Sequence, residues 1–268
     1  MSGSTQRGAA LVTGGGTGLG LAITLELARR GYPVVIASRK PEHLEAAEAK
    51  VRELGGEVLT LPCDVRDRER VAQVVEEALR VFGRLEVLVN NAAGNFVIRA
   101  EELSPKGWEA VRGIVLDGTW NFSQEVGKRW IAQGETGSIL NIVATYAWTG
   151  AAGVVHSVSA KAGVLAMTRA LAMEWGKFGI RVNALAPGIM VTEDAAKNLG
   201  YADPQIQAAL ARKVPLRRLA SVEEVALLAC DLATDRHPYV TGDCWTIDGG
   251  LWLEGFPNLR RFLEGELG

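Results

Sequence analysis

Residues 9–20 read AALVTGGGTGLG, and this stretch decides the fold. Residues 9–12 predict a short strand, and the apolar spacing of residues 19–30 predicts a helix. The glycines between them let the backbone approach a pyrophosphate, and the helix N-terminus offers N–H donors. A glycine cluster alone is weak evidence, but between a strand and a helix it favours cofactor binding over a structural turn. The predicted cofactor contacts in this turn are Gly14, Gly15, Gly16, Thr17, Gly18, Leu19 and Gly20.

The alternation of strand and helix continues along the chain. Apolar runs predict further strands at residues 34–38, 58–61, 85–90, 138–143, 181–186 and 243–247. Helical spacing marks residues 42–54, 71–82, 108–132, 156–178 and 222–233. The third of these is interrupted by Gly113, Gly118 and Gly127, and the last follows a capping box of Ser221 and Glu224. Residues 192–214 read as irregular and polar. We predict a doubly wound α/β Rossmann fold, with a seven-stranded, mostly parallel sheet and helices on both faces.

Composition excludes several classes of protein. The 268 residues are 48% hydrophobic and show no linker or repeat, which favours one domain over residues 1–268. A net charge of −2 gives no support to nucleic-acid binding. No apolar run is long enough to span a bilayer. The three cysteines lack metal-ligand spacing and predict no metal site. With no presequence and the ending GELG, we expect a bacterial cytoplasmic protein.

In a doubly wound fold the binding crevice lies at the carboxyl ends of the strands. Ser38, Arg39 and Lys40 follow the second strand, where no acid is present to hold a ribose 2′-hydroxyl. Because guanidinium suits a 2′-phosphate, we expect NADP(H). The other residues expected at the cofactor after strands three and four are Asp64, Val65, Asn91, Ala92 and Gly94.

Residues 145–161, TYAWTGAAGVVHSVSAK, contain the candidate chemistry. Ser157 and Lys161 are four residues apart, so they project from one helix face. We expect Lys161 to hold the nicotinamide ribose and to support a developing anion. Tyr146 directly follows a strand and is a candidate hydrogen-bond donor, although packing beside Trp148 explains it equally well. His156 has no obvious carboxylate partner in the sequence, and we interpret it as structural.

The strings TGGGTGLG, CDV, NNAAG, SAK and Pro187-Gly188 resemble the short-chain dehydrogenase/reductase family over nearly the whole chain. The resemblance implies a homotetramer or dimer. It also implies a mobile substrate loop at about residues 189–215 and cofactor contacts at Pro187, Gly188 and Ile189. Most members carry tyrosine where Ser157 stands and serine where Ala144 stands.

A narrower resemblance explains that departure. The strings ASRK, CDVRD, NNAAGNF, ATYAWTG and SAKAGV resemble the 2,4-dienoyl-CoA reductases. This resemblance implies NADPH-dependent reduction of 2,4-dienoyl-CoA to 3-enoyl-CoA in β-oxidation. It assigns the catalytic roles to Tyr146, Asn95, Ser157 and Lys161, and the acyl-CoA contacts to Arg66, Asn95, Phe96, Ser104, Tyr146, Ser157 and, less directly, Lys197.

Reduction of a conjugated thioester places charge on a distant oxygen, which requires hydrogen-bond donors there. Tyr146 and Asn95 follow adjacent strands and are candidates for that role. Asp117 replaces an asparagine that the family usually carries, so it is a candidate for water binding near Lys161 or for the acid itself. Two alternatives therefore stay open: a reductase of enoyl or carbonyl substrates with Asp117 as acid, and a catalytically silent NADP(H)-binding protein.

Overall fold

Seven strands form the centre of the molecule. The computed structural model describes residues 7–192 and 202–255. The strands are β1 (Ala9–Thr13), β2 (Val34–Ser38), β3 (Val58–Pro62), β4 (Leu85–Asn90), β5 (Gly137–Ile142), β6 (Ile180–Pro187) and β7 (Cys244–Ile247).

Nine α-helices connect or flank these strands in the described ranges. They are α1 (Gly18–Arg29), α2 (Pro41–Glu53), α3 (Arg68–Phe82), α4 (Pro105–Arg112), α5 (Gly118–Gln133), α6 (Tyr146–Thr149), α7 (Val155–Trp175), α8 (Pro204–Lys213) and α9 (Val222–Ala233). Short 3₁₀ turns occur at Ala100–Glu102, Gly176–Phe178 and Leu251–Gly255.

The sheet has the strand order β3-β2-β1-β4-β5-β6-β7, and each neighbouring pair is parallel. The predicted Rossmann architecture is confirmed. The prediction of a mostly parallel sheet is corrected only in that the described strands are parallel throughout. The order reverses between β1 and β4, where Thr13 lies beside Asn90. This reversal opens the crevice in which such folds bind their ligands.

A separate apolar core covers each face of the sheet. On one face Phe122, Trp130 and Trp175 pack against strand residues. On the other, Ile23 of α1 and Leu232 of α9 pack against the alternate strand positions. Because side chains alternate along a strand, a strand buried on both faces needs a continuous apolar sequence, as observed.

Two predictions need correction in detail. The helix predicted at residues 108–132 begins earlier, at Pro105, and its expected interruption is a π-helical segment at Gly113–Asp117 between α4 and α5. The helix begins earlier than its apolar pattern because Ser104 caps it by accepting from the backbone N–H of Gly107 at 3.1 Å. Residues 192–214 are not irregular throughout, since α8 forms within them behind the N-cap Asp203.

No helix in the described ranges is long and apolar enough to cross a bilayer. Within the same ranges, histidine, cysteine, aspartate and glutamate side chains form no group of three or more that could hold a metal ion.

Candidate active site

The glycine turn between β1 and α1 is closely packed against the end of β4. Gly14 has φ +64°, a left-handed conformation that favours glycine. A Cβ on Gly20 would lie 2.1 Å from the carbonyl oxygen of Gly14. The side chain of Asn91 donates to the carbonyls of Thr13 and Gly14 at 3.1 and 3.2 Å, and Thr13 Oγ1 accepts from the backbone N–H groups of Asn91 and Ala92 at 3.0 Å each. The turn is therefore fixed before any ligand binds.

The N-terminus of α1 fits an anionic ligand. Its N-cap, Thr17, makes no side-chain capping bond, and the first turn contains no acidic residue. By contrast, Asp67 caps α3 by accepting from the N–H groups of Glu69 and Arg70. The first N–H groups of α1 thus have no side-chain cap to compete with a pyrophosphate.

Cationic residues follow β2, as predicted. Ser38 ends the strand half-buried, and Arg39 and Lys40 are exposed. The charge of Arg39 reaches Asp64 at the end of β3, where it contributes to lowering the pKa of that carboxyl. The two strand ends therefore belong to one region of the crevice.

Asp64 and Arg66 form an ion pair with each other. The guanidinium donates from Nε and Nη2 at 2.9 and 2.6 Å, and this hydrogen bonding is the largest cause of the lowered pKa of Asp64. The sequence predicts separate roles for these residues, Asp64 at the cofactor and Arg66 at the acyl-CoA. Because the two side chains are paired, a change in either residue would affect both expected contacts.

Tyr146, Ser157 and Lys161 converge after β5. Tyr146 begins α6, and its hydroxyl lies 3.0 Å from Ser157 Oγ on α7. Lys161, one turn further along α7, is buried and donates to the carbonyl of Ile142 at the end of β5. Burial lowers the pKa of Lys161 to about 8. The hydroxyl groups of Tyr146 and Ser157 and the amine of Lys161, with its lowered pKa, thus lie together at the carboxyl end of β5.

Asn95 lies in the loop at residues 91–99, which has no regular secondary structure. Its Oδ1 accepts from the backbone N–H of Phe96 at 3.0 Å. Because a backbone N–H only donates, this bond identifies the oxygen of the amide and leaves the NH₂ group as the end that can donate elsewhere. The loop is anchored by a bond from the N–H of Ile98 to the carbonyl of Gly153 at 2.9 Å.

The remaining predicted site residues are placed less centrally. Asp117 ends the π-helical segment, has 39% of its side chain exposed and pairs with Arg112 at 2.7 Å. Ser104 uses its hydroxyl as the N-cap of α4, so the prediction of a CoA contact there competes with a structural role. Gly188, after β6, packs so closely that a Cβ would lie 2.6 Å from the Cα of Asp248. Lys197 lies outside the described residues.

A buried polar chain, not predicted from the sequence, lies beneath the site. Asn90 Nδ2 donates to Ser123 Oγ and to Asn141 Oδ1, both at 2.9 Å. Asn141 Nδ2 in turn donates to Thr168 Oγ1 at 2.9 Å. The chain ties β4 and β5 to α5 and α7. Its signal was present in the sequence, because Asn141 interrupts the apolar run SILNIV.

Comparison with known proteins agrees with the motifs. The model of a family described as enoyl-(acyl carrier protein) reductase matches residues 14–252. A Bacillus subtilis protein named "Probable 2,4-dienoyl-CoA reductase [(2E)-enoyl-CoA-producing]" is 45% identical over 94% of this chain and 99% of its own length. The "Peroxisomal 2,4-dienoyl-CoA reductase [(3E)-enoyl-CoA-producing]" of Danio rerio is 40% identical over 95% and 84%. A crystal structure of a short chain dehydrogenase from Bacillus anthracis superposes with a TM-score of 0.84 at 44% identity, covering 93% of this chain and 98% of that one.

Proposed function

Because this chain belongs to the short-chain dehydrogenase/reductase family, we propose that it is an NADPH-dependent reductase of 2,4-dienoyl-CoA in the β-oxidation of unsaturated fatty acids. The observation that carries the proposal is the 3.0 Å contact of the Tyr146 hydroxyl with Ser157 Oγ. Ser157 holds the place where most of the family has its tyrosine. The phenol therefore approaches the same site from α6 instead of from α7.

The displaced phenol suits a conjugated thioester. When bound, the nicotinamide cofactor supplies a hydride, which in a dienoyl thioester attacks the far end of the conjugated system. Negative charge then develops on the thioester oxygen as a dienolate. Tyr146 and Asn95 donate hydrogen bonds to that oxygen, and each donor of this kind contributes roughly 10²–10³ in rate. Lys161, when charged, stabilises the same anion electrostatically and holds the ribose hydroxyls.

The product depends on where the proton is delivered. Protonation of the dienolate at C2 gives 3-enoyl-CoA, and protonation at C4 gives 2-enoyl-CoA. We propose the 3-enoyl product, as in the name of the Danio rerio relative, whereas the Bacillus subtilis relative is named for the 2-enoyl product. Proton NMR of the product separates the two. A 2-enoyl product would revise the proton route and leave the reductase assignment unchanged.

A substrate panel tests the proposed function. NADPH consumption is followed with 2,4-hexadienoyl-CoA, crotonyl-CoA and acetoacetyl-CoA. We expect turnover of the diene in clear preference to the other two. Turnover of acetoacetyl-CoA alone would mean carbonyl reduction. Cofactor binding without turnover of any of the three would mean a silent binding protein.

The preference for NADP(H) over NAD(H) rests on Arg39. Arg39 is exposed directly after β2, and its charge contributes to lowering the pKa of Asp64 at the neighbouring strand end, which supports recognition of a ribose 2′-phosphate by its guanidinium. We expect Arg39→Asp to weaken NADPH binding and to improve NADH use, measured as the ratio of kcat/KM for the two cofactors. The control is Arg29→Asp, at the C-terminal end of α1. An unchanged ratio in Arg39→Asp would contradict the assignment.

A homotetramer, or a dimer, is the proposed assembly. Met173 on α7 is 89% exposed, and Phe178 and Leu227 also present apolar surface. A contiguous exposed apolar patch marks a contact surface, and we propose that these side chains belong to contact surfaces between subunits. Light scattering coupled to size exclusion measures the mass directly, and a monomer would contradict this proposal.

A further inference from the structure

The ring of Phe96 lies between two helices. On one side is Gly107 of α4, where an added Cβ would lie 3.0 Å from the end of the Phe96 ring. On the other side is His156 of α7, whose ring centroid is 4.4 Å from that of Phe96 with the planes tilted by 31°. Phe96 also packs with the small core of α4 and α7 that includes Val111 and Val164. The ring therefore anchors the irregular loop of residues 91–99, in which Phe96 lies.

His156 has no evident use in the proposed chemistry. Its side chain is 1% exposed, and neither ring nitrogen has a partner at hydrogen-bonding geometry among the described residues. Burial lowers the pKa of the imidazole, and the backbone of Phe96 acts in the opposite direction with a smaller effect. A buried imidazole that makes no well-formed hydrogen bond costs stability, which calls for an explanation of its presence. The contact of its ring with the ring of Phe96 offers such an explanation.

The position of Phe96 determines the orientation of Asn95. The N–H of Phe96 donates to Asn95 Oδ1, so any shift of the Phe96 backbone moves the amide with it. The NH₂ end of that amide is the donor that the proposed function requires. A chain of direct contacts thus runs from His156 through the Phe96 ring and backbone to the Asn95 amide.

We infer that His156 is a positioning residue for the reduction, which holds the Asn95 amide in its donating orientation by stacking on Phe96. This inference rests on the proposed function, because Asn95 needs a fixed orientation only if it stabilises an anion. It assigns no proton transfer to His156. Displacement of a reacting group by about 1 Å can lower a rate by roughly a hundredfold, so a modest loosening has a measurable effect.

A double-mutant cycle tests the inference. His156→Gln keeps most of the side-chain volume but removes the ring. We expect it to lower kcat for 2,4-hexadienoyl-CoA roughly tenfold while the KM for NADPH stays unchanged. In an Asn95→Ala background the same change should alter kcat less than about twofold, because there is no amide left to position. His237→Gln is the matched control. The ring centroid of His237 lies 5.3 Å from that of Trp245, and neither residue belongs to the proposed catalytic machinery. This variant should leave kcat unchanged.

Gly107→Ala gives an independent test from the other side of the Phe96 ring, in case His156→Gln lowers folding yield. Its Cβ should displace the ring and produce the same dependence on Asn95. Full additivity with Asn95→Ala in both cycles would overturn the inference, and so would a wild-type rate for Asn95→Ala. Diene turnover by the wild-type protein is measured first, so that failure of the proposed function is distinguished from failure of this inference.

Discussion

At the scale of single residues, the site is unusual in where it places a hydroxyl. Tyr146 begins a four-residue helix and meets Ser157 across the gap to α7, while Lys161 keeps the place that the family motif gives it. Lys161 is desolvated and hydrogen-bonded to the carbonyl of Ile142. An ammonium in this setting retains its charge only below a lowered pKa, and this makes the reaction sensitive to pH.

We predict that kcat for the diene falls as pH rises through about 8, because the folded protein then loses the charge of Lys161. The loss should approach tenfold per pH unit above that value. In Lys161→Arg the guanidinium stays charged, so whatever activity remains should lose this alkaline fall. Steady-state rates from neutral to alkaline pH measure both profiles. An identical alkaline fall in Lys161→Arg would assign it to another group.

At the scale of secondary-structure elements, the break between α4 and α5 shapes the wall of the crevice. The π-helical segment at Gly113–Asp117 inserts one extra residue into the turn, and Gly118 follows it against the loop after β3. A Cβ on Gly118 would lie 2.4 Å from Cγ2 of Val65, a predicted cofactor contact. The close approach of this helix to the strand end depends on that glycine.

We expect Gly118→Ala to lower the free energy of unfolding by about 1–3 kcal/mol, because overpacking outweighs the better helix propensity of alanine. Gly176→Ala is the control: Gly176 has φ −55°, and a Cβ added there would meet no atom within 4 Å, so alanine should be neutral or stabilising by up to about 1 kcal/mol. Urea denaturation measures both variants. Equal stabilities for the two would contradict the packing argument.

The sequence predicted those elements whose signals are local. The bounds of β2 and β4, the capping box of Ser221 and Glu224, and the strand–glycine–helix order at residues 9–20 were all correct. Gly113 and Gly118 indicated an interruption of the helix, but hydrophobic periodicity could not identify it as π-helical, because an inserted residue changes backbone bonding with little change in the apolar pattern. The start of α4 was not predicted, because a serine such as Ser104 can serve either as a helix cap or as a substrate contact, and the sequence does not distinguish the two.

Pairing between side chains was the least predictable part of the site. Asp64 and Arg66 are two residues apart, yet their ion pair depends on the backbone turn after β3. Asp117 likewise forms an ion pair with Arg112. The sequence alone does not distinguish such a paired carboxylate from an unpaired one. The Tyr146–Ser157 contact joins residues eleven apart on two helices, and its motif signal came only through the family resemblance.

At the scale of the whole molecule, the strand order brings the ends of β1, β4 and β5 to one edge. Two apolar cores hold the sheet from both faces, so the crevice residues project from a rigid base. Stability of that base is reduced by one buried cation. Lys161 lies in the interior at a cost to folding, because burial disfavours its charged form.

We predict that Lys161→Met is more stable than the wild-type protein at pH 7, while it loses activity. A pKa lowered from 10.5 to about 8 corresponds to about 3 kcal/mol at full effect. Between those two values the unfolded wild-type chain binds more protons than the folded one, so its stability relative to Lys161→Met rises with pH. The difference in free energy of unfolding between Lys161→Met and the wild-type protein should therefore be largest below pH 8 and should vanish as pH approaches 10.5. Denaturation at several pH values measures it, and a gap independent of pH would contradict the argument.

The most direct test of the central claim is the rate of NADPH-dependent reduction of 2,4-hexadienoyl-CoA by Tyr146→Phe. Removal of a hydrogen-bond donor from a developing anion should lower kcat by roughly a hundredfold or more, with NADPH affinity unchanged. Tyr239→Phe, at a fully exposed position, should match the wild-type protein. A Tyr146→Phe rate close to that of Tyr239→Phe would contradict the assignment of the displaced tyrosine to the dienolate.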